Sequence, residues 1–296
     1  MKVHPFIEAE KIAGHGVQRA CRLLEVSRAA YYQRRAGVPS PRAVADAAIT
    51  AKITGIHELS GGTYGSPRLH QALRKDEGIR CGKRRVARLM RAAGLEGRRK
   101  KRWRTTTIAD PAAERARDLI RRDFAPAPDT DRRYAGDITY LATWQGWAYL
   151  ATVIDLASRK VVGWALADHM RTELIEDALT MAFTTRRPAA GVIFHSDRGC
   201  QYTSRDFAAL ARANGVVLSV SRKGECWDNA VAESFFATIK RELIDGRVWP
   251  TQAALHRAVF DYIEGWYNTR RLHSSLGYLS PAEYETIHHS NNQRTA

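Results

Sequence analysis

The sequence predicts a mixed α/β fold, a five-stranded sheet with helices over its faces, preceded by a basic all-α region. Three observations carry this. Apolar runs joined by short turns at Gln145-Gly146 and across Asp155 to Lys160 read as antiparallel neighbours. Two later apolar runs are each reached through a helical stretch and so read as parallel. The excess positive charge lies entirely N-terminal to these runs.

Taken in order, residues 17–35 divide into two short helices with Ser27 as N-cap of the second, a helix-turn-helix outline. A second outline follows: Ser66 reads as an N-cap with Pro67 at the first helical position, Gly78 breaks that helix, and Lys83 to Ala93 form another ended by Gly94. In the latter, Val86, Leu89, Met90 and Ala93 make the buried stripe, which leaves Arg84, Arg88 and Arg91 outward as candidate DNA contacts. A solvated basic face is the plain alternative, but one-signed charge repeated over two helical units favours binding. The run Arg98-Arg99-Lys100-Lys101-Arg102 lies ahead of the Pro-rich stretch Ala125-Pro126-Ala127-Pro128 and is suited to tracking a phosphate backbone. The chain therefore reads as a basic helical DNA-binding region, 1–104, a linker, 105–132, and a core with a C-terminal helical extension, 133–296.

Within the core the reading is strand Tyr134 to Leu141, strand Trp147 to Ile154, strand Val161 to Leu166 and a helix from Thr172 to near Phe183. A strand ending at Asp197 follows, then a helix capped by Ser204 and stopped by Gly215, then a strand from Val216 to Ser221. This topology sets the end of the first strand beside the end of the fourth, where ligand crevices open in α/β sheets.

Charge narrows the partner. Residues 1–104 hold 24 Lys and Arg against 8 Asp and Glu, while 105–296 hold 23 of each, so the net +16 of the 296-residue chain comes from the helical region alone. A clustered basic surface attached to a neutral remainder points to nucleic acid. A membrane surface is disfavoured, because the basic segments lack the aromatic, amphipathic character of interfacial helices. No N-terminal apolar leader and no spanning stretch is found, so a cytoplasmic, nucleoid-associated protein is expected. Cys21, Cys81, Cys200 and Cys226 are far apart and form no C-x-x-C pair, which argues against a zinc ribbon or a disulfide framework.

Three acids stand out. Asp137 interrupts an apolar strand, Asp197 ends another, and Glu233 lies in a stretch where Val231, Phe235, Phe236, Ile239 and Leu243 recur at helical spacing. Converging carboxylates suit Mg²⁺, with Mn²⁺ as a substitute, and two such ions per site would serve phosphodiester chemistry. Asn229 and Lys240 fall within roughly 40° of Glu233 around a helix at 100° per residue, so Lys240 faces the acids and is assigned to DNA phosphate. Asp155 and Asp228 are set aside as a turn residue and a helix N-cap, and His195 reads as a structural hydrogen-bonding partner.

The flanking residues are more specific than the acids. Asp137-Ile138-Thr139-Tyr140, His195-Ser196-Asp197-Arg198-Gly199, Ser221-Arg222-Lys223-Gly224, Trp227-Asp228-Asn229-Ala230 and Glu233-Ser234-Phe235-Phe236 resemble bacterial insertion-sequence transposases with a retroviral-integrase-like DDE core. Thirty-five residues separate Asp197 from Glu233, as in that family's D,D(35)E signature. The block from Trp266 to Tyr278 with Ser280-Pro281 resembles the family's C-terminal block, and residues 64–95 are similar to the helix-turn-helix of second-frame (OrfB) products. Departures are small: Tyr134 stands near where tryptophan is common, and Cys200 and Glu225 replace a small polar residue and an amide.

The resemblance implies an RNase H-like fold, Asp137, Asp197 and Glu233 as catalytic metal ligands, and Lys240 on the transposon end. It implies cleavage at element ends and transfer of the 3′-OH into DNA. The partners expected are terminal inverted repeats, target DNA, further copies of the chain on DNA, and the upstream-frame (OrfA) protein or a frameshift fusion with it. This chain itself shows no sustained heptad. Two other readings share its features: a noncatalytic DNA-binding regulator, and an RNase H-like nuclease without joining activity.

Overall fold

The computed structural model describes residues 3–98, 129–197, 199, 201–220 and 230–295, with side chains omitted at 220 and 291–295. Two compact units result, Met1–Glu96 and Gly97–Ala296.

The first unit is helical. It comprises α1 (Val3–Ile12), α2 (Val17–Leu23), α3 (Arg28–Arg35), α4 (Pro41–Leu59), α5 (Ser66–Asp76) and α6 (Lys83–Ala92). Ser27 caps α3 by accepting from the Ala30 amide, and Ser40 caps α4 by accepting from the Ala43 amide with Pro41 at the first helical position. Ile7, Ala20, Cys21 and Tyr31 close a small core among α1, α2 and α3. Ser66 is not the cap of α5. It is the first helical residue and Gly65 precedes it without a side-chain bond, because the extended conformation of a cap falls one residue earlier. Val86, Leu89 and Met90 are buried as expected, but Ala93 is exposed: α6 ends at Ala92 and the chain turns away through Gly94 at φ +68°.

The second unit is built on strands β1 (Arg133–Thr143), β2 (Gly146–Asp155), β3 (Val161–Ala167), β4 (Ile193–Ser196) and β5 (Val217–Val220), in sheet order β3-β2-β1-β4-β5. The first three pair antiparallel through tight turns, and β1, β4 and β5 pair parallel. The helices α7 (Thr172–Arg186) and α8 (Arg205–Ala213) provide the crossovers on one face. There Ala151, Val153 and Val162 pack with Leu174, Ala178, Ala182, Phe194 and Phe207. On the opposite face Leu141, Ala148, Leu150 and Ile154 meet α9 (Ala230–Ile239) and α10 (Gln252–Phe260) through Phe235, Ile239, Leu255 and Val259. Alternation with period two along β2 divides the residues between the two layers. Helix α11 (Pro281–Thr295) ends the described chain.

One close approach fixes the spacing of the α7 layer. A Cβ added at Gly163 in β3 would run into the backbone oxygen of Ala178 and the backbone of Ala182 on α7, so only glycine lets helix and strand meet there. Gly163→Ala is expected to cost about 3 kcal/mol or more through forced backbone displacement. Urea unfolding checks this, and a midpoint equal to wild type would contradict it.

Candidate active site

Asp137 lies in the middle of β1 and not at its end. The difference follows from strand length: β4 has four residues, so its end falls opposite the middle of an eleven-residue β1. Parallel pairing runs to Ala135 opposite His195, and two further steps along each strand bring Asp137 and Asp197 side by side where β4 has stopped. Asp137 accepts from the Ile138 amide at 2.8 Å, and Asp197 accepts from the Gly199 amide at 3.0 Å, which orients each carboxylate.

Glu233 sits in the first turn of α9, and Lys240 seven residues on, where the helix changes to a π-helical turn over Lys240–Ile244. Both act on Asp137. Its carboxyl is pushed up to about 7, first by burial, then by the negative charge of Asp197, with Glu233 adding to the shift and Lys240 opposing it. Burial also raises the Glu233 carboxyl and lowers the Lys240 ammonium, the latter opposed by Asp137. Asp197, Glu233 and Lys240 are thus each within electrostatic reach of Asp137. Among the described residues no trio of potential ligands is already gathered tightly enough for one ion.

Two further side chains belong here and were not singled out from sequence. Lys240 Nζ lies 5.0 Å from the ring centroid of Tyr140, itself 59% exposed on the edge of β1 that β4 leaves open. Tyr202 is buried against Phe194 and Phe207, and its phenol is held neutral first by burial and then by Asp137 and Asp197. The only sequence signal for Tyr202 was its place in the turn that follows Asp197.

Residues expected elsewhere are equally clear. His195 is fully buried with Nδ1 2.9 Å from the Ser219 hydroxyl of β5. Asp155 is buried and accepts from the amides of Asp131, Ala157 and Ser158, a turn-stabilising role. Arg84, Arg88 and Arg91 are exposed on α6, but Arg88 is paired with Asp46 at 2.6 Å. Arg98 donates to the backbone oxygens of Arg241 and Asp245, the last carbonyls of the turn that begins at Lys240, where partial negative charge favours a cation. Arg99, Lys100, Lys101, Arg102, Asp228 and Asn229 lie outside the described residues.

Comparison with known proteins now decides the family. Residues 128–226 and 214–281 match models of the integrase core domain, and residues 44–103 match an HTH-like domain. The chain is 37% identical over 286 residues to the transposase InsF for insertion sequence IS3A of Escherichia coli (strain K12), covering 95% of this chain and 97% of that protein. The chain belongs to the insertion-sequence transposases. A 31 kDa protein of insertion element IS600 from Shigella sonnei is also 37% identical, over 91% of this transposase and 98% of that protein. The integrase-core match spans both strands that carry Asp137 and Asp197 and, in its second part, the helix that carries Glu233. No described helix is long and apolar enough to cross a membrane.

Proposed function

We propose that this transposase cleaves DNA at the ends of its element and joins the freed 3′-OH to a second DNA strand, with Asp137, Asp197 and Glu233 holding divalent metal. The observation that carries the reading is the juxtaposition of Asp137 and Asp197 where β4 stops beside β1, inside a match to the integrase core domain. The Asp137 carboxyl, pushed up to about 7 by burial and by Asp197, marks a negative cluster, opposed among the described residues by the Ile138 amide and by Lys240. Such a cluster destabilises the fold unless a cation joins it. The three carboxylates form an all-oxygen donor set that suits Mg²⁺, with Mn²⁺ in its place.

Two ions bound by these carboxylates would polarise a phosphoryl oxygen and neutralise charge on the attacking and leaving oxygens. The chain's own groups orient the DNA. Lys240 contacts a phosphate beside the acids, and Tyr140, under the Lys240 ammonium, fixes where that ammonium points. Tyr202, packed on Phe194 and Phe207, keeps a neutral phenol within electrostatic reach of Asp137 and Asp197. The N-terminal helices hold DNA through their basic faces. Further copies of the chain on DNA and the upstream-frame protein, separate or fused, complete the assembly.

Metal dependence is read directly. Mg²⁺ titration of the purified chain is expected to raise Tm by several degrees, and Asp197→Asn to lose most of that gain while keeping its circular-dichroism spectrum. Equal stabilisation of both proteins would show that the ions bind elsewhere.

A further inference from the structure

The HTH-like unit contains a cleft of about 520 Å³ lined by Arg42, Ala45, Arg84, Arg85 and Arg88. Arg42 and Ala45 come from the first turns of α4, Arg84 and Arg85 from the first turn of α6, and Arg88 from the turn that follows it. Asp46 joins the two helices. One carboxylate oxygen accepts from Arg85 Nε at 2.7 Å, the other from Arg88 Nη2 at 2.6 Å. The Arg88 and Arg85 guanidinium groups hold the Asp46 carboxyl below its ordinary range, so it is a carboxylate at neutral pH.

This arrangement runs against helix stability. The N-terminal turn of a helix carries partial positive charge and favours acids, yet neither α4 nor α6 has an acid in its first turn. Arginines stand there instead, and four of them around one cleft repel. Gly82 gives α6 no side-chain cap. A single carboxylate beneath the arginines does not neutralise them. It leaves a net charge of about +3 facing an open cavity, which is the condition for binding a polyanion. Each guanidinium has five N–H groups in a planar fork, and the bonds to Asp46 use one of them on Arg85 and one on Arg88. Fixing one edge of the fork leaves the other pre-oriented and reduces the side-chain entropy lost on contact.

From this the structure assigns a DNA phosphate cradle to Arg42, Arg84, Arg85 and Arg88, with Asp46 as the positioning residue that aims Arg85 and Arg88 into it. The assignment rests on the DNA-binding reading of this helical region and extends it to Arg42, Arg85 and Asp46. The predicted sign for Asp46 is unusual. Removing a negative charge from a DNA-binding surface ordinarily tightens binding, whereas loss of an aiming residue weakens it.

The test uses the full chain and a short fluorescein-labelled duplex carrying the element's terminal repeat, with anisotropy read over a salt series. Arg85→Gln and Arg88→Gln are each expected to flatten the logarithmic salt dependence by about one contact and to weaken binding about eightfold near 0.1 M salt. Asp46→Asn is expected to weaken binding and to flatten the salt dependence in the same direction. Tighter or unchanged binding by Asp46→Asn overturns its positioning role, as does a lowered Tm with the wild-type salt slope, which would mark Asp46 as a tie between helices only. Wild-type slopes in Arg85→Gln and Arg88→Gln overturn the cradle while leaving the DNA-binding reading intact. If the wild-type chain itself fails to bind the duplex, both fall. Strand transfer at saturating DNA separates either result from the catalytic proposal, because the cradle variants keep the three acids.

Discussion

Glu233→Gln, Asp137→Asn and Asp197→Asn are each expected to reduce cleavage and joining of labelled element-end DNA by about a thousandfold or more, the scale of losing a group that serves transition-state charge. The DNA-binding unit is untouched, so duplex affinity at fixed salt should stay near wild type. That combination separates chemistry from delivery. Glu233→Gln that joins ends as well as wild type would remove the acid from the mechanism. Without metal, Asp137→Asn is also expected to raise Tm by a few degrees, since it deletes the charge most opposed by burial and by Asp197. A variant that is more stable and nearly inactive is the expected outcome where a fold keeps a repulsive cluster for function. Lys240→Ala should fall between, losing roughly tenfold in joining at moderate salt because one phosphate contact is removed.

The sheet was legible because its connections are short or helical, and either case fixes strand direction. Strand ends shifted by a residue or two, yet every strand direction and the crossover helices follow the sequence reading. Asp137 was harder to place. Its strand reads as one apolar run, and nothing local to it tells that β4 is only four residues long and ends opposite its middle. Residues 41–59 carry little helix signal beyond the start at Ser40 and Pro41, because the stretch that follows is rich in alanine and weak in apolar contrast. Arg85 is hidden in the sequence for a related reason. It lies between the buried stripe and the outward arginines of α6, and its partner Asp46 is 39 residues away. Contacts across such separations are set by packing, which periodicity on one helix does not encode.

The C-terminal block shows the same limit and gives the second large effect. Arg271, 3% exposed, donates from Nε and Nη2 to the two carboxylate oxygens of Glu242 at 2.9 and 2.8 Å, and Glu242 is 5% exposed. Tyr262 donates to Glu242 at 2.9 Å, and the Arg271 guanidinium lies 5.7 Å from the Tyr267 ring centroid. Asn268 clamps the start of β3, accepting from the Val161 amide and donating to its carbonyl. The two ions of the pair are 29 residues apart in sequence. Arg271→Ala would leave the Glu242 carboxylate buried and unpaired, and is expected to cost about 3–5 kcal/mol in urea unfolding. Arg271→Lys should recover only part of this, because an ammonium cannot reproduce the two-pronged contact. Replacing both residues by methionine removes the stranded charge and should restore most of the stability. Glu242 lies two residues after Lys240 in the same π-helical turn, so the pair also fixes the end of the helix that carries Glu233. The double methionine variant is therefore expected to remain about tenfold slower in strand transfer despite its recovered stability. Full activity in that variant would confine the pair to holding the fold, and a wild-type unfolding midpoint for Arg271→Ala would deny it even that role.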